Sequence, residues 1–195
     1  MNDNDNTPDL GISYHTGDVL ASDEYVIAHG CNTTGDPNLY AAGMAGAVAR
    51  RYPIARGAWV DAVAAGAFHG GDIGTVWITS DPAFPRGRCI INAATQIRPG
   101  ADGDPALVTR CFVAIARWAE NNGCTRVAMP RIGCGIAGLD WNLDVLPALS
   151  NAARQAFMLG LPMPHLAVYD LPINPKAGSG SLFAPIRSQV RGGRW

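Results

Sequence analysis

Residues 125–141 (TRVAMPRIGCGIAGLDW) constrain the fold more than any other part of the sequence. Thr125–Met129 is typical of a short buried strand, and Pro130, which cannot donate to a sheet ladder, marks its end. A helical pattern begins near Trp141. Three glycines lie between the two: Gly133, Gly135 and Gly138. A strand, a glycine-rich turn and a helix in this order predict an α/β unit whose turn can hold a phosphate or pyrophosphate on backbone N–H groups.

The same glycines also fit a different fold. GCGIAG matches the G-x-G-x-x-G of dinucleotide-binding Rossmann domains, and a strand-like segment, His165–Tyr169, follows the helix with Asp170 after it. A Rossmann motif normally opens its unit with further strands to come, whereas this one lies near the end of the sequence. The helix also begins late, after Leu139 and Asp140. A Rossmann-type NAD-dependent oxidoreductase is therefore the less favoured alternative.

Composition and charge exclude several classes of protein. The 195 residues suffice for one well-packed domain, and a net charge of −1 gives no general attraction to nucleic acid or to anionic membranes. No signal peptide is recognisable, and no apolar run approaches the roughly 18 residues needed to span a bilayer. Five cysteines without a C-x-x-C pair suit free thiols in a reducing compartment. We therefore expect a cytoplasmic protein with no metal, no cofactor and no membrane contact.

Strand and helix patterns alternate between two atypical ends. Residues 1–10 are rich in Asn and Asp and are predicted to be disordered. Residues 11–171 are predicted to form one α/β domain, a three-layer α/β/α sandwich with a mixed central sheet. Residues 172–195 are rich in Pro, Gly and Ser and carry four basic side chains and no acid, which favours a solvated tail over a nucleic-acid arm.

The individual elements follow from periodicity, caps and prolines. Asp104-Pro105 is a typical helix start, and Asn122-Gly123 closes that helix. The last helix is predicted to carry Leu149 and Phe157 on its apolar side. The predicted strands are 12–15, 25–28, 74–79, 88–95, 125–129 and 165–169, and the predicted helices are 43–51, 54–65, 105–122 and 141–159.

Polar and glycine-rich segments follow four of the predicted strands. Asp18 follows the first strand and Asn32 the second, Asn92–Gln96 closes another, and Arg131–Gly138 follows the fifth. Ligands of open α/β sheets bind at the carboxyl ends of the strands. The sequence therefore predicts one ligand site at that edge of the sheet.

These segments carry a resemblance to a known family. GDVL, AHGCN, GMAGAVARRYP, IINAATQ and MPRIGCGIAGLDW occur in the order seen in macrodomains, the α/β/α modules that bind ADP-ribose. The chain resembles most the branch that contains the terminal ADP-ribose protein glycohydrolase and the antitoxins that remove ADP-ribose from DNA. The similarity covers roughly residues 12–171, and PRIGCG followed by GLDW is its most specific part.

The resemblance implies a role for each matching position. Asp18, with Val19, matches the acid that accepts a hydrogen bond from the adenine amino group. Asn32 matches the position that faces the distal ribose, and Tyr169 and Leu171 match positions that flank the adenine. Two glycine segments would enclose the pyrophosphate. The first comprises Gly43, Met44, Ala45, Gly46 and Ala47, and the second comprises Arg131, Ile132, Gly133, Cys134, Gly135, Ile136, Ala137 and Gly138.

The sequence departs from the family where the family places its catalytic groups. Gln96 stands where the glycohydrolase branch has a lysine, Ala137 where some members have an aspartate, and Ala45 where other classes have an acid. Glutamine cannot attack as an amine and alanine cannot move a proton. The candidates for a substrate-assisted hydrolysis are then Asn32, Gln96 and Asp36, although Asp36-Pro37 is more typical of a turn and Asp140 of a helix N-cap.

Two further side chains are interpreted as structural. His29, at a strand end, is expected to be a hydrogen-bonded internal histidine. Cys134 has no paired base and is not expected to be a nucleophile. Three functions therefore stand: an ADP-ribosyl hydrolase, a module that binds or sequesters ADP-ribose without turnover, and the oxidoreductase. The expected partners are ADP-ribose or ADP-ribosylated protein or nucleic acid, and nothing demands more than a monomer.

Overall fold

The structure is a computed structural model, and it describes residues 10–172. The predicted disordered segment 1–10, apart from Leu10, and the basic tail from residue 173 onward lie outside the described residues. No helix between residues 10 and 172 is long and apolar enough to cross a membrane.

Strands and helices alternate along the chain. The strands are β1 (Ile12–Thr16), β2 (Val26–Cys31), β3 (Ile73–Ile78), β4 (Arg88–Ala94), β5 (Arg126–Pro130) and β6 (His165–Asp170). The helices are α1 (Gly43–Arg51), α2 (Pro53–Ala64), α3 (Pro105–Asn121) and α4 (Leu146–Met158). Short 3₁₀ turns cover Val19–Ala21 and Pro37–Tyr40, and a π-helical turn, Trp141–Val145, leads into α4.

The strands form one mixed sheet covered on both faces. Its order is β1-β6-β5-β2-β4-β3, and only β3 runs antiparallel to its neighbour. Helices α3 and α4 pack on one face through Phe112 and Leu149, and helices α1 and α2 pack on the other through Val48 and Trp59. Every residue of β4 is buried, as expected for a central strand covered by helices on both sides. The predicted α/β/α sandwich with a mixed sheet is confirmed.

Tertiary pairing accounts for the differences from the predicted elements. β2 continues through His29 to Cys31, three residues beyond its predicted end, because it pairs with β4 as far as Cys31 opposite Ala94. Phe157 was predicted on the apolar side of the last helix, but its side chain is 69% exposed. That placement was wrong because the apolar stripe of α4 buries Leu149, Ala153 and Ala156, and Phe157 follows them on the outer side.

The parallel strands bring the predicted site together. β1, β6, β5, β2 and β4 all point the same way, so the loops that follow them leave from one edge of the sheet. That edge carries every segment that the sequence singled out as ligand-binding.

Candidate ligand-binding site

The second glycine loop (residues 131–138) consists of two tight turns after β5. Cys134 N–H donates to the Arg131 carbonyl at 3.1 Å and Gly138 N–H to the Gly135 carbonyl at 3.1 Å. Gly133 has φ of 80° and Gly138 has φ of 82°, a region that favours glycine. The loop closes on itself where Leu139 N–H donates to the Gly133 carbonyl at 2.9 Å.

The same loop leaves several backbone donors unused. The N–H groups of Gly133, Gly135, Ile136 and Ala137 donate to no acceptor among residues 10–172. Three of these residues are consecutive. Consecutive unpaired N–H groups on a turn form a concave surface with partial positive charge, and such a surface favours an anionic oxygen.

The first glycine segment (residues 43–47) opens helix α1. Ala42 supplies no side-chain cap, and the first intrahelical bond of the helix runs from Gly46 N–H to the Ala42 carbonyl at 2.9 Å. The N–H groups of Gly43, Met44 and Ala45 donate to no acceptor among the described residues. A β-carbon on Gly46 would lie 2.2 Å from the Ala41 carbonyl oxygen, so this position requires glycine. The positive end of the α1 dipole thus remains available to an anion.

The two glycine segments face each other. Gly43, at φ of 57°, lies so close to the second loop that a β-carbon there would be 3.2 Å from Ile136 Cδ1. The Ile136 side chain is half exposed above this contact. An anion that reached both sets of donors would therefore lie between α1 and the second glycine loop.

Asp18 lies at the β1 end of the same edge. Gly17 N–H donates to the Asp170 carbonyl at 2.8 Å and ties the turn after β1 to the end of β6. One carboxylate oxygen of Asp18 accepts from Leu20 N–H at 2.9 Å and caps the 3₁₀ turn, in which Val19 is buried. The other oxygen accepts from no described residue, and the carboxylate is exposed. It is free to accept a hydrogen bond from a ligand.

Arg131 is committed to an ion pair beside that end. Its Nε and Nη2 atoms donate to both carboxylate oxygens of Asp170, at 2.7 to 3.1 Å. The guanidinium carbon lies 5.7 Å from the centre of the Tyr14 ring and 5.4 Å from that of Trp141. Hydrogen bonding to Asp170 raises the pKa of the Arg131 guanidinium. The side chain therefore fixes the start of the second glycine loop to the end of β6.

The two residues predicted to flank adenine differ in their surroundings. Tyr169 is half-buried, stacks on His15 at 4.8 Å, and donates its hydroxyl to Glu24 at 3.2 Å. Leu171 is largely exposed just beyond β6. Tyr169 is thus held by His15 and Glu24, whereas Leu171 is the more exposed of the two.

The predicted catalytic candidates are all engaged in local structure. Asn32 is buried; it donates to the Leu39 carbonyl at 3.3 Å and accepts from Thr34 Oγ1 at 2.7 Å. The exposed Asp36 accepts from Asn38 N–H at 2.9 Å as the N-cap of a 3₁₀ turn. Asp140 accepts from the N–H groups of two residues as the N-cap before α4, as predicted. None of these groups is an unpaired acid beside the facing glycine segments.

Gln96 belongs to a bracing loop, residues 96–103. Its amide nitrogen donates to the Arg98 carbonyl at 2.7 Å, and Gln96 also bridges to Gly103 across the loop. Gly103 N–H in turn donates to the Ala137 carbonyl at 3.0 Å, so the loop supports the second glycine loop from behind. The role of Gly103 is not predictable from the sequence, because its partner lies 34 residues away and no local pattern indicates such a contact.

Two surface depressions lie outside the facing glycine segments. One, of about 600 Å³, adjoins the bracing loop, and another, of about 470 Å³, lies between α3 and α4. Neither is lined by the free N–H groups of the two glycine segments. The unused backbone donors lie on the two glycine segments and not in either depression.

Comparisons with known proteins identify the fold and the family of this chain. Residues 28–145 match the family model of the Macro domain. The macrodomain of Mycobacterium tuberculosis DarG is 27% identical, with a TM-score of 0.66 over 83% of this chain and 98% of that chain. Thermosipho africanus DarTG in complex with ADP-ribose is 20% identical, with a TM-score of 0.68 over 84% of this chain and 42% of that chain. The Oceanobacillus iheyensis macrodomain with ADP is 15% identical, with a TM-score of 0.59 over 84% of both chains.

Sequence searches of curated proteins return no match. The family model, however, covers more than half of the chain, and the solved structures share its fold. The predicted resemblance is therefore confirmed, and the chain belongs to the Macro domain family.

Proposed function

We propose that this protein binds ADP-ribose at the carboxyl edge of its sheet. The observation that carries the proposal is the pair of facing backbone donor sets, on α1 and on the second glycine loop, with a free carboxylate oxygen at Asp18 along the same edge. Dinucleotide-like ligands need those features: donors for two phosphates and an acceptor for an exocyclic amine. Proteins of similar fold were solved with ADP-ribose and with ADP, which supports this ligand class.

The strand order determines the orientation of the proposed ligand along the edge of the sheet. Asp18 follows β1, the second glycine loop follows β5, and Asn32 follows β2. We propose that adenine lies near Asp18, the pyrophosphate between the glycine segments, and the distal ribose near Asn32. Strand order contradicts the Rossmann alternative, because a Rossmann sheet has the order 3-2-1-4-5-6.

Binding without turnover is favoured over hydrolysis. The Gln96 amide is held by a carbonyl of its own loop, and Ala137 and Ala45 offer no proton-transfer group. Asp36 and Asp140 both act as N-caps. A hydrolase that uses Asn32, Gln96 or Asp36 with help from a ligand phosphate stays the second candidate, since related branches of the family remove ADP-ribose.

The setting of this activity is also a proposal. The ligand would be free ADP-ribose or ADP-ribose attached to a protein or nucleic acid, bound by a monomer in the cytoplasm. Residues 11–171 would form the binding domain, between the N-terminal segment 1–10 and the tail 172–195.

Calorimetry with free ADP-ribose tests the binding site. Asp18→Ala should lower affinity by about tenfold or more, because it removes the predicted acceptor for the adenine amine. Asp18→Asn keeps a side-chain oxygen that accepts from Leu20 N–H, so its loss of ADP-ribose affinity should be smaller. Asp23→Ala, an exposed neighbour, is the matched control and should bind like the wild type. Equal affinity of Asp18→Ala and the wild type would refute the assigned adenine position.

Incubation with ADP-ribosylated protein and DNA tests turnover. We expect both to be bound and neither to release ADP-ribose. Release by the wild type that persists in Gln96→Ala would establish a hydrolase whose chemistry lies elsewhere. Release lost in Gln96→Ala would restore Gln96 as a catalytic candidate.

A further inference from the structure

Three polar side chains form a fully buried group beneath the first glycine segment. His29 on β2, Tyr40 from the loop before α1 and Asn92 on β4 are each at most 1% exposed. The Tyr40 hydroxyl lies 2.9 Å from His29 Nε2 and 2.5 Å from Asn92 Oδ1. Asn92 Nδ2 donates to the Ala55 carbonyl at 3.2 Å, which links the group to α2.

The hydrogen bond between Tyr40 and Asn92 has a defined direction. Because Asn92 uses its amide nitrogen on Ala55, its oxygen must accept from Tyr40. The single hydroxyl proton of Tyr40 is then used, and its oxygen faces His29 Nε2, while His29 Nδ1 faces the Gly30 carbonyl at 3.2 Å. Burial lowers the pKa of His29 to about 4, so the ring is neutral near pH 7 and carries one proton, on Nε2 or on Nδ1. The Tyr40 hydroxyl thus has both His29 and Asn92 within hydrogen-bonding distance.

Tyr40 occupies a particular place in the chain. It ends the 3₁₀ turn Pro37–Tyr40, three residues before Gly43. The intervening Ala41 carbonyl packs directly against Gly46, where no side chain fits. The hydroxyl of Tyr40 therefore joins the segment that opens α1 to the two strands β2 and β4.

We propose that Tyr40 is a positioning residue that holds the free N–H groups of the first glycine segment in place for the phosphate and ribose farthest from adenine. The inference rests on the proposed ADP-ribose function and deepens it. Tyr40 reaches the ligand only through the backbone of residues 41–45. Its effect should therefore be confined to the part of the ligand under α1, leaving the adenosine end at Asp18 unaffected.

Two ligands separate this role from a general effect on folding. ADP-ribose needs the first glycine segment, whereas AMP reaches only the adenosine end and one phosphate. Tyr40→Phe should weaken ADP-ribose binding by about tenfold, because two buried hydrogen-bond partners are lost, and should weaken AMP binding by less than about twofold. ADP-ribose is measured by calorimetry and AMP by NMR titration, which still detects millimolar affinity.

Matched variants distinguish the positioning role of Tyr40 from misfolding of the Tyr40→Phe protein. Tyr25→Phe alters a half-exposed tyrosine whose hydroxyl has no partner among the described residues, and it should change neither affinity. His29→Gln keeps a polar amide that can hydrogen-bond Tyr40 and should bind ADP-ribose almost normally. His29→Leu removes the polar partner of Tyr40 and should reproduce the selective loss.

The outcomes are distinct. Equal loss of both ligands in Tyr40→Phe, or no loss of either, would overturn the positioning role while leaving the proposed function intact. Failure of the wild type to bind ADP-ribose would overturn the proposed function and this inference with it.

Discussion

Burial of His29 makes the stability of the protein depend on pH. The pKa of its imidazole falls from the ordinary 6.5 to about 4 because desolvation penalises the charged form. Between those values the unfolded chain binds a proton that the folded chain does not. Stability is therefore complete above pH 6.5 and declines as the pH falls toward 4. We expect a loss of about 2.4 kcal/mol between about pH 7 and about pH 4.5, because each pKa unit corresponds to about 1.4 kcal/mol.

Urea unfolding at the two pH values measures this term. His29→Gln, which cannot titrate, should lose less stability on acidification than the wild type. The other three histidines and all carboxylates are common to both proteins, so the difference isolates His29. Parallel losses in the two proteins would contradict the expectation.

Cys134 lies within the second glycine loop, and we expect its environment to keep the thiol unreactive. Burial raises the pKa of Cys134 to about 12, so the thiolate is scarce at neutral pH. Iodoacetamide at about pH 8 should label Cys134 much more slowly in the folded protein than in urea, as followed by mass spectrometry. Cys134→Ser should bind ADP-ribose like the wild type. Fast labelling of the folded protein would require a different environment for this thiol.

Local chemistry at single residues was predictable from sequence, whereas distant contacts were not. Asp36 and Asp140 were correctly interpreted as a turn residue and an N-cap, because their hydrogen bonds reach only two or three residues. His29 was correctly interpreted as internal. Its grouping with Tyr40 and Asn92 was not predicted, because these residues lie 11 and 63 residues further along the chain.

At the scale of elements, the bracing loop supports the second glycine loop by close backbone contact. A β-carbon on Gly103 would lie 2.8 Å from the Ala137 carbonyl oxygen and 2.7 Å from Leu139 Cγ. Gly103→Ala should therefore displace the second glycine loop and weaken ADP-ribose binding by about tenfold, an effect of roughly 1.4 kcal/mol. Calorimetry measures the change.

Gly57→Ala is the control for that substitution. Gly57 lies inside α2, and a β-carbon there meets nothing within 4 Å. Alanine should preserve binding and stabilise the helix by about 0.5 to 1 kcal/mol. If Gly103→Ala bound ADP-ribose as tightly as Gly57→Ala does, the bracing loop would have no influence on the site.

Elements with strong end signals were predicted closely. α1 and α3 begin and end as expected, because glycine, an Asp-Pro cap and an Asn-Gly stop mark their termini. The π-helical turn before α4 was not predicted, since nothing in the sequence distinguishes it from an ordinary first turn. The bracing loop was not predicted either, because its contacts depend on the relative positions of β4 and β5.

At the scale of the whole molecule, all ligand contacts should fall on one edge of the sheet. Bound ADP-ribose should slow hydrogen exchange at the N–H groups of Met44, Ala45, Gly135, Ile136 and Ala137, which lack internal acceptors. Residues 80–87 connect β3 to β4 at the opposite edge and should exchange at unchanged rates. NMR-detected exchange gives the comparison. Uniform slowing across both edges would indicate general stabilisation rather than contact.

The α/β class followed from alternating patterns, but the strand order did not. Strand β6 inserts between β1 and β5, and β3 reverses at the far edge. These pairings depend on which apolar faces meet, and a single sequence does not report them. The resemblance to macrodomains implied the three-layer sandwich, whereas the order of its strands comes from the structure.

The contact between Gly43 and Ile136 has a kinetic consequence. The half-exposed side chain of Ile136 lies against Gly43, between the two glycine segments. We expect a ligand that enters between these segments to displace it, both on arrival and on departure. The barrier to displacing Ile136 slows association and dissociation by the same factor, so it does not change the equilibrium constant. Ile136→Ala should therefore accelerate association and dissociation together in stopped-flow measurements while Kd changes little. The residence time of the complex, rather than its affinity, would then be set by one isoleucine.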